Sequence, residues 1–439
     1  MKNNETVIEV IGAGLAGAEA AYYLAKRGYK VKLYDIKPDN FTPAHKNADF
    51  GELVCSNSLK SDDVYGNACG LLKQEMRTIG SLMTECAELS RVPAGNALAV
   101  DRDKFAALIT NKLKSFDNIE IVCEEKKSID FDIPTIVATG PLTTDALCEF
   151  IKSITGAFFF FDAAAPIVTA ESIDTDNCFI SDRYGENGKG DYINCPMNRE
   201  EYENFYSQLI SAKRAQLHDF ESDKVFEGCM PVEVMAARGA DTLRFGPLKP
   251  AGLTDPKTGR WPYACLQLRK ENVAGSLYNL VGFQTNLLFG EQKRVFSMIP
   301  ALKNAEFVRY GVMHKNNYIN APESIDKYFK LKNKQFTYIA GQLSGVEGYV
   351  ESAASGLLAA VNLDRQLRNL TPVDWDSRTV SGALSVYVST PNGNFQPMNA
   401  NFGILSPIGS GKMQKEAKKR AYAERALERI EEISKIINT

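Results

Sequence analysis

Val7-Ile8-Glu9-Val10-Ile11-Gly12-Ala13-Gly14-Leu15-Ala16-Gly17 is the stretch that decides the fold. The apolar run Val7 to Ile11 reads as a short buried strand. Gly12, Gly14 and Gly17 then form G-x-G-x-x-G, and a helix is expected through Ala18 to Arg27, with Gly28 where a helix C-cap belongs. Lys30 to Tyr34 reads as a second strand, with Asp35 just past its end. This is a βαβ unit with a physical purpose. The glycines let the backbone turn tightly and approach a pyrophosphate, and the helix N-terminus supplies unpaired N–H groups and partial positive charge. An acidic residue about 20 positions on holds a ribose hydroxyl, and Asp35 meets that requirement.

Working outward, Phe41 to Ser61 reads as a polar loop, Leu71 to Leu89 and Asp103 to Phe116 as helices, and Ile119 to Cys123 as a strand. Thr135 to Ala138 reads as a strand ending in Thr139-Gly140-Pro141, a third strand end at the same crevice. Asp182 to Ile319 has a different texture, richer in charge and broken by Pro/Gly turns. Dinucleotide-fold texture returns at Phe336 to Ile339. There Gly341-Gln342 follows a strand, and Ser344-Gly345-Val346-Glu347-Gly348-Tyr349 opens a helix through Ala353, Ala354, Ser355 and Gly356. A late return of this kind favours FAD over NAD, because such a helix N-terminus can aim N–H groups at the flavin's pyrimidine end. Small-residue helix packing is the competing explanation, strongest for Ala353, Ala354 and Gly356. The expected organisation is a first part of an FAD-binding domain over 1–181, an inserted domain over 182–319, a second part over 320–410, and a basic C-terminal helix over 411–439.

The 439 residues are 44% hydrophobic and 24% charged, ordinary globular composition. A net charge of −3, from 51 basic and 54 acidic residues, argues against a chain coated in positive charge. It does not exclude RNA, for which a local basic patch is enough. Nine cysteines at scattered spacing, with no C-x-x-C pair, argue against a disulfide framework or a metal site. Met1 to Thr6 is polar, and no apolar run is long enough to span a bilayer, so a cytoplasmic location is expected.

Longer strings carry a resemblance. Thr42-Pro43-Ala44-His45, Glu52 to Leu59 around Cys55, Arg91 to Gly95 and Asp101-Arg102-Asp103 belong to it. So do Phe226-Glu227-Gly228-Cys229-Met230-Pro231-Val232-Glu233 and Leu243-Arg244-Phe245-Gly246-Pro247-Leu248-Lys249-Pro250. Further matches are Asn279 to Gln284, Gly290 to Arg294, Gly348 to Gly356 and Phe395 to Asn399. Together they resemble the folate- and FAD-dependent tRNA (uracil-5-)-methyltransferase family, TrmFO, over nearly the whole chain. Asp35 stands where a glutamate is expected, and Phe289 where some members carry tryptophan.

The resemblance implies an α/β fold. Its core is an FAD-binding Rossmann-like domain of the glutathione-reductase-like kind, interrupted by an α+β insertion. It implies a cytoplasmic flavoprotein methyltransferase. NADPH or NADH would reduce FAD, methylenetetrahydrofolate would pass its methylene to the reduced flavin, and a cysteine–uracil adduct would accept it. Carbon 5 of uracil is a weak nucleophile until a thiolate adds at carbon 6, a task suited to cysteine. Cys229 is implied as that thiol and Cys55 as the group that removes the carbon 5 proton or guards the flavin-bound methylene. Gly12, Gly14, Gly17, Asp35, Thr139, Gly140, Gly341, Gln342, Gly345 and Gly348 are the expected cofactor residues. Arg238, Arg244, Lys249, Phe289, Arg294 and His314 are the expected substrate residues, with no metal and no obligate protein partner. A basic run at Lys412, Lys415, Lys418, Lys419 and Arg420 alternates with glutamates, as a solvated face does.

The preferred substrate is the T-loop uridine of tRNA. The same chemistry on 23S rRNA stays open at this level. So do an FAD oxidoreductase acting on a small molecule and a partner-dependent tRNA-modification subunit.

Overall fold

A computed structural model describes the chain except residues 1–4, 43–44, 55–56, 93, 95, 157, 162–164, 186–187, 216–229, 271–274, 312–315, 393–394, 410–412 and 439. The side chains of 158–161 and 316 also lie outside the description. The chain forms two compact units, Met1–Phe160 with Asn317–Thr439, and Phe161–Asn316.

The first unit is built on a parallel sheet of β1 (Val7–Ile11), β2 (Lys30–Asp35), β3 (Ile119–Cys123), β4 (Thr135–Val137) and β5 (Thr337–Ile339), in the order β5-β4-β1-β2-β3. Val7 pairs with Lys30, Val31 with Ile119, Glu9 with Thr135, and Thr337 with Thr135 from the other side. Strand order reverses beside β1, with β2 on one side and β4 on the other. The carboxyl ends of the strands leave a crevice at that reversal, where open α/β sheets bind ligands.

Helix α1 (Leu15–Lys26) follows β1, and Gly28 (φ +85) turns the chain back into β2. The sequence from Leu71 to Leu89 is two helices rather than one. Helix α2 (Ala68–Ile79) stops at Gly80 in the left-handed conformation, and Ser81 caps a second helix, Leu82–Leu89. Helix α3 (Tyr349–Leu367) lies against α1, with Gly356 so close to the Ala16 carbonyl that a Cβ would sit 2.0 Å from it. Helices α4 (Val380–Ser389) and α5 (Lys415–Ile437) pack on α2. The basic C-terminal helix therefore buries Tyr422, Ala426, Ile430 and Ile433, with Lys415 and Lys435 exposed, Lys418 and Lys419 half-buried, and Lys412 outside the described residues.

Two carboxylates hold these helices together from inside. Glu19 of α1 accepts from the Leu82 and Met83 amides, at 3.2 and 2.6 Å, and from the Ser81 hydroxyl. Glu75 of α2 accepts from the Val380 and Ser381 amides, at 2.7 and 2.9 Å, and from the Ser381 hydroxyl. Each satisfies amides that a helix start leaves without partners. Burial pushes both carboxyls up to about 7, while the donors pull the other way.

The second unit is an antiparallel sheet in the order Phe179–Ile180, Tyr192–Met197, Ala264–Lys270, Leu277–Leu280, Ile167–Thr169, Phe307–Arg309. It starts at Phe161 rather than 182, because Ile167–Thr169 pairs between Leu277–Leu280 and Phe307–Arg309 and so belongs to this sheet. Helix Arg199–Ser211, opened by an Asn198–Glu201 capping box, covers it. In this core Phe205 stacks on Phe283, and Phe296 meets Phe283 edge to face. Among the described residues no helix is long and apolar enough to cross a membrane.

Candidate functional site: a glycine-lined cleft

The crevice at the sheet reversal is a cleft with about 1210 Å³ of atom-free space, part of it open to solvent. Gly12, Gly14, Asp35, Thr139, Gly140, Gly341 and Gln342 all line it, so residues far apart in sequence meet at the ends of β1, β2, β4 and β5. The other three expected cofactor glycines do not line it. A Cβ on Gly17 would lie 1.7 Å from the Gly12 carbonyl oxygen. On Gly345 it would strike the Phe395 ring at 2.4 Å, and on Gly348 the Glu351 carboxylate at 2.2 Å. Backbone leaves no room for a side chain at Gly17, and Gly345 (φ +87) and Gly348 (φ +124) also hold backbone conformations that favour glycine.

Gly14 is the contrasting case. Its φ of −68° suits any residue, and a Cβ there would meet nothing within 4 Å. It is the N-cap of α1, which has no side-chain cap and no acidic residue in its first turn. An uncapped helix start facing open space next to a glycine is a cradle for an anionic group such as a pyrophosphate. The cleft reaches α3 as well, where Tyr349 and Ser352 line it at that helix's first turn. Two helix starts thus border one cleft.

The rim is held by polar contacts. The Ala13 amide donates to Asp35 Oδ2 at 2.8 Å and the Lys37 amide to Oδ1 at 2.9 Å, so Asp35 ties the end of β2 to the glycine loop. Lys37 is buried, donates to the Asn47 and Asp49 carbonyls, and is pushed down by that burial. His45 lines the cleft and pairs with the Thr42 hydroxyl; burial and then the Lys37 charge lower its pKa. Lys37 was not singled out in the sequence, and His45 appeared there only within a matching string. The strand that follows Cys55, Ser58–Ser61, is anchored by Lys60, whose ammonium meets the buried Glu351 carboxylate of α3 at 2.9 Å.

Cys55, Cys229 and His314 lie outside the described residues. The chain just beyond Cys229 is firmly held. The Val232 amide donates to the Gln284 carbonyl at 2.7 Å. Buried Glu233 accepts from the Thr285 hydroxyl and the Asn286 amide, each at 2.8 Å. Glu233 is therefore committed to the framework. Arg238 caps the short helix Val232–Ala237, and its side chain is exposed. Arg244 lies 3.7 Å over the Tyr263 ring, donates to the Tyr263 carbonyl and pairs with Asp241. Arg294 is bound to Glu291 and Gln208. Lys249 is exposed. Phe289, 55% exposed, ends a ladder of rings through Tyr310 (5.1 Å) to Phe307 (5.6 Å).

Fold and cleft define a dinucleotide-binding protein of the FAD type, and the comparisons agree. Residues 7–371 match the family model described as Glucose inhibited division protein A. The GidA structure from Aquifex aeolicus superposes with a TM-score of 0.51 over 99% of this chain and 74% of that one, at 14% identity, which is a likeness of fold. Two proteins named methylenetetrahydrofolate–tRNA-(uracil-5-)-methyltransferase TrmFO are much nearer in sequence. That of Desulforudis audaxviator is 56% identical over 96% of both chains. That of Fusobacterium nucleatum is 53% identical over 97% of this chain and 98% of its own. The chain belongs to this methyltransferase family.

Proposed function

We propose that this enzyme methylates carbon 5 of the T-loop uridine of tRNA, taking the carbon from methylenetetrahydrofolate and electrons from NADPH or NADH. The observation that carries the reading is near-full-length identity above one half to proteins named for that reaction, in a chain whose Gly14 cradle suits FAD. FAD, when bound, relays the electrons and the one-carbon unit between folate and uracil.

The chain's own residues do the rest. The amides at the start of α1 and the space beside Gly14 hold the pyrophosphate, and Asp35 holds a ribose hydroxyl. Thr139, Gly140, Gly341 and Gln342 shape the cleft toward the flavin. Cys229 adds as thiolate to carbon 6 of the uracil, and the electron pair moves to give an enolate nucleophilic at carbon 5. Once the new carbon–carbon bond has formed there, Cys55 takes the carbon 5 proton and the Cys229 sulfur leaves. Arg238, exposed beside the framework that fixes Val232 and Glu233, favours the thiolate or holds a phosphate. Arg244, Lys249, Phe289, Arg294 and His314 contact RNA or folate.

The test offers purified protein, methylenetetrahydrofolate and NADPH to unmodified tRNA and unmodified 23S rRNA in parallel, and maps the product. Methyluridine in the T-loop is expected. Product only in rRNA would overturn the tRNA assignment while keeping the chemistry. Cys229→Ala should retain FAD and lose methylation; turnover in that variant would sink the nucleophile assignment.

A further inference from the structure

The second unit carries a pocket that the reaction scheme leaves unused. Its lining includes the buried apolar residues Met197 and Phe179 and four prolines, Pro196, Pro256, Pro262 and Pro300. On its wall stands Trp261, 55% exposed. Among the described residues no ring or cation is stacked on that indole, whereas its neighbour Tyr263 already carries Arg244 on one face. Tryptophan pairs a large apolar face with a polar N–H and is enriched where proteins bind partners.

The charges around the indole decide what it recognises. Arg199, Lys257 and Arg260 line the pocket, against Glu201 and Asp255. Each acid accepts from a backbone amide, Glu201 from Asn198 at 2.8 Å and Asp255 from Lys257 at 2.9 Å, so the bases outnumber the acids by three to two. Arg199 is paired with Glu203, and Lys257 donates to the Asp176 carbonyl. Arg260 is exposed and in no ion pair among the described residues. The pocket thus offers an exposed indole, apolar lining residues and, among the described residues, a guanidinium in no ion pair. That combination takes a planar base and its phosphate, as sites for unstacked nucleotides do.

We infer that the Trp261 pocket binds an unpaired nucleotide of the substrate RNA other than the reacting uridine, with the base on Trp261 and its phosphate at Arg260. This rests on the RNA reading above and adds a second contact to it.

The chain supplies its own probe. It has two tryptophans, and the other, Trp375, is only 2% exposed. Unmodified tRNA should quench the emission of the FAD-loaded wild type, and Trp261→Phe should abolish that quenching. Trp261→Ala should raise KM for tRNA about tenfold, the scale of one base–aromatic stack, with kcat and the KM for methylenetetrahydrofolate unchanged. Trp261→Phe should restore most of that loss. Arg260→Ala should raise KM severalfold and reduce the salt dependence of binding. Wild-type KM for tRNA in both Trp261→Ala and Arg260→Ala, alongside an active wild type, would overturn the inference. A wild type that neither binds nor methylates tRNA would overturn the RNA reading beneath it.

Discussion

The cofactor cleft of the first unit and the Trp261 pocket of the second are built from opposite materials. The cleft is made of backbone: strand ends, helix starts, and glycines that let main chain approach main chain. The pocket is made of side chains on prolyl turns. A backbone site demands glycine at fixed spacing, so it leaves a pattern in sequence. A side-chain surface demands a ring and a cation that any loop can supply, and it leaves none.

The contrast can be sharpened within the glycine loop itself. Gly17→Ala puts a Cβ 1.7 Å from the Gly12 carbonyl, backbone against backbone, with no flexible group to yield. The expected cost is about 3 kcal/mol or more, seen as a large fall in the yield and melting temperature of yellow protein. Gly14→Val should do the reverse. Its side chain enters open space, so the apoprotein should fold with a near-normal circular dichroism spectrum and melting temperature, yet purify colourless. A yellow, FAD-loaded Gly14→Val protein would break the assignment of that space to the pyrophosphate.

A smaller effect tests the second unit's framework. Glu233→Ala strips the Thr285 hydroxyl and the Asn286 amide of their buried acceptor. About 1–3 kcal/mol of stability should go for each donor left unsatisfied, read as a lower denaturation midpoint. FAD content should hold, since the cleft is formed by residues of the first unit.

The smallest expected effect is a pH slope. Glu19 and Glu75 have carboxyls pushed from 4.5 up to about 7 by burial. Between those values the folded chain holds protons that the unfolded chain has released. Their contribution is thus fully present below about 4.5 and is lost as pH rises through about 7. His45, lowered by burial, works in the opposite direction over part of this window. The measurement is therefore the difference between wild type and Glu75→Gln, whose melting temperature should fall less steeply from pH 5 to 7. Identical slopes would show that Glu75 does not titrate there.

Legibility followed the same division. The strand Val7–Ile11, the helix start at Gly14 and the strand return before Gly341 were readable because each obeys a backbone rule, and Asp35 lies in the cleft they form. The roles of Gly17, Gly345 and Gly348 were not: a glycine required by a neighbouring atom looks the same in sequence as one required by a ligand. The break at Gly80 was hidden because apolar residues continue on both sides of it. The start of the second unit was missed because Ile167–Thr169 reads as a strand of either unit, and only its antiparallel partners decide. Glu19 and Glu75 carry no sequence signal, since their function is to meet helix starts far along the chain. Trp261 sits in a Pro/Gly-rich turn with no spacing to mark it.

The most direct test of the central claim uses methylenetetrahydrofolate deuterated at its methylene, with the wild-type protein, FAD, NADPH and unmodified tRNA, followed by mass analysis of the T-loop nucleoside. Methyluridine carrying both deuterons in its methyl group is the predicted result. An unmodified uridine, or a methyl group without deuterium, would contradict the account.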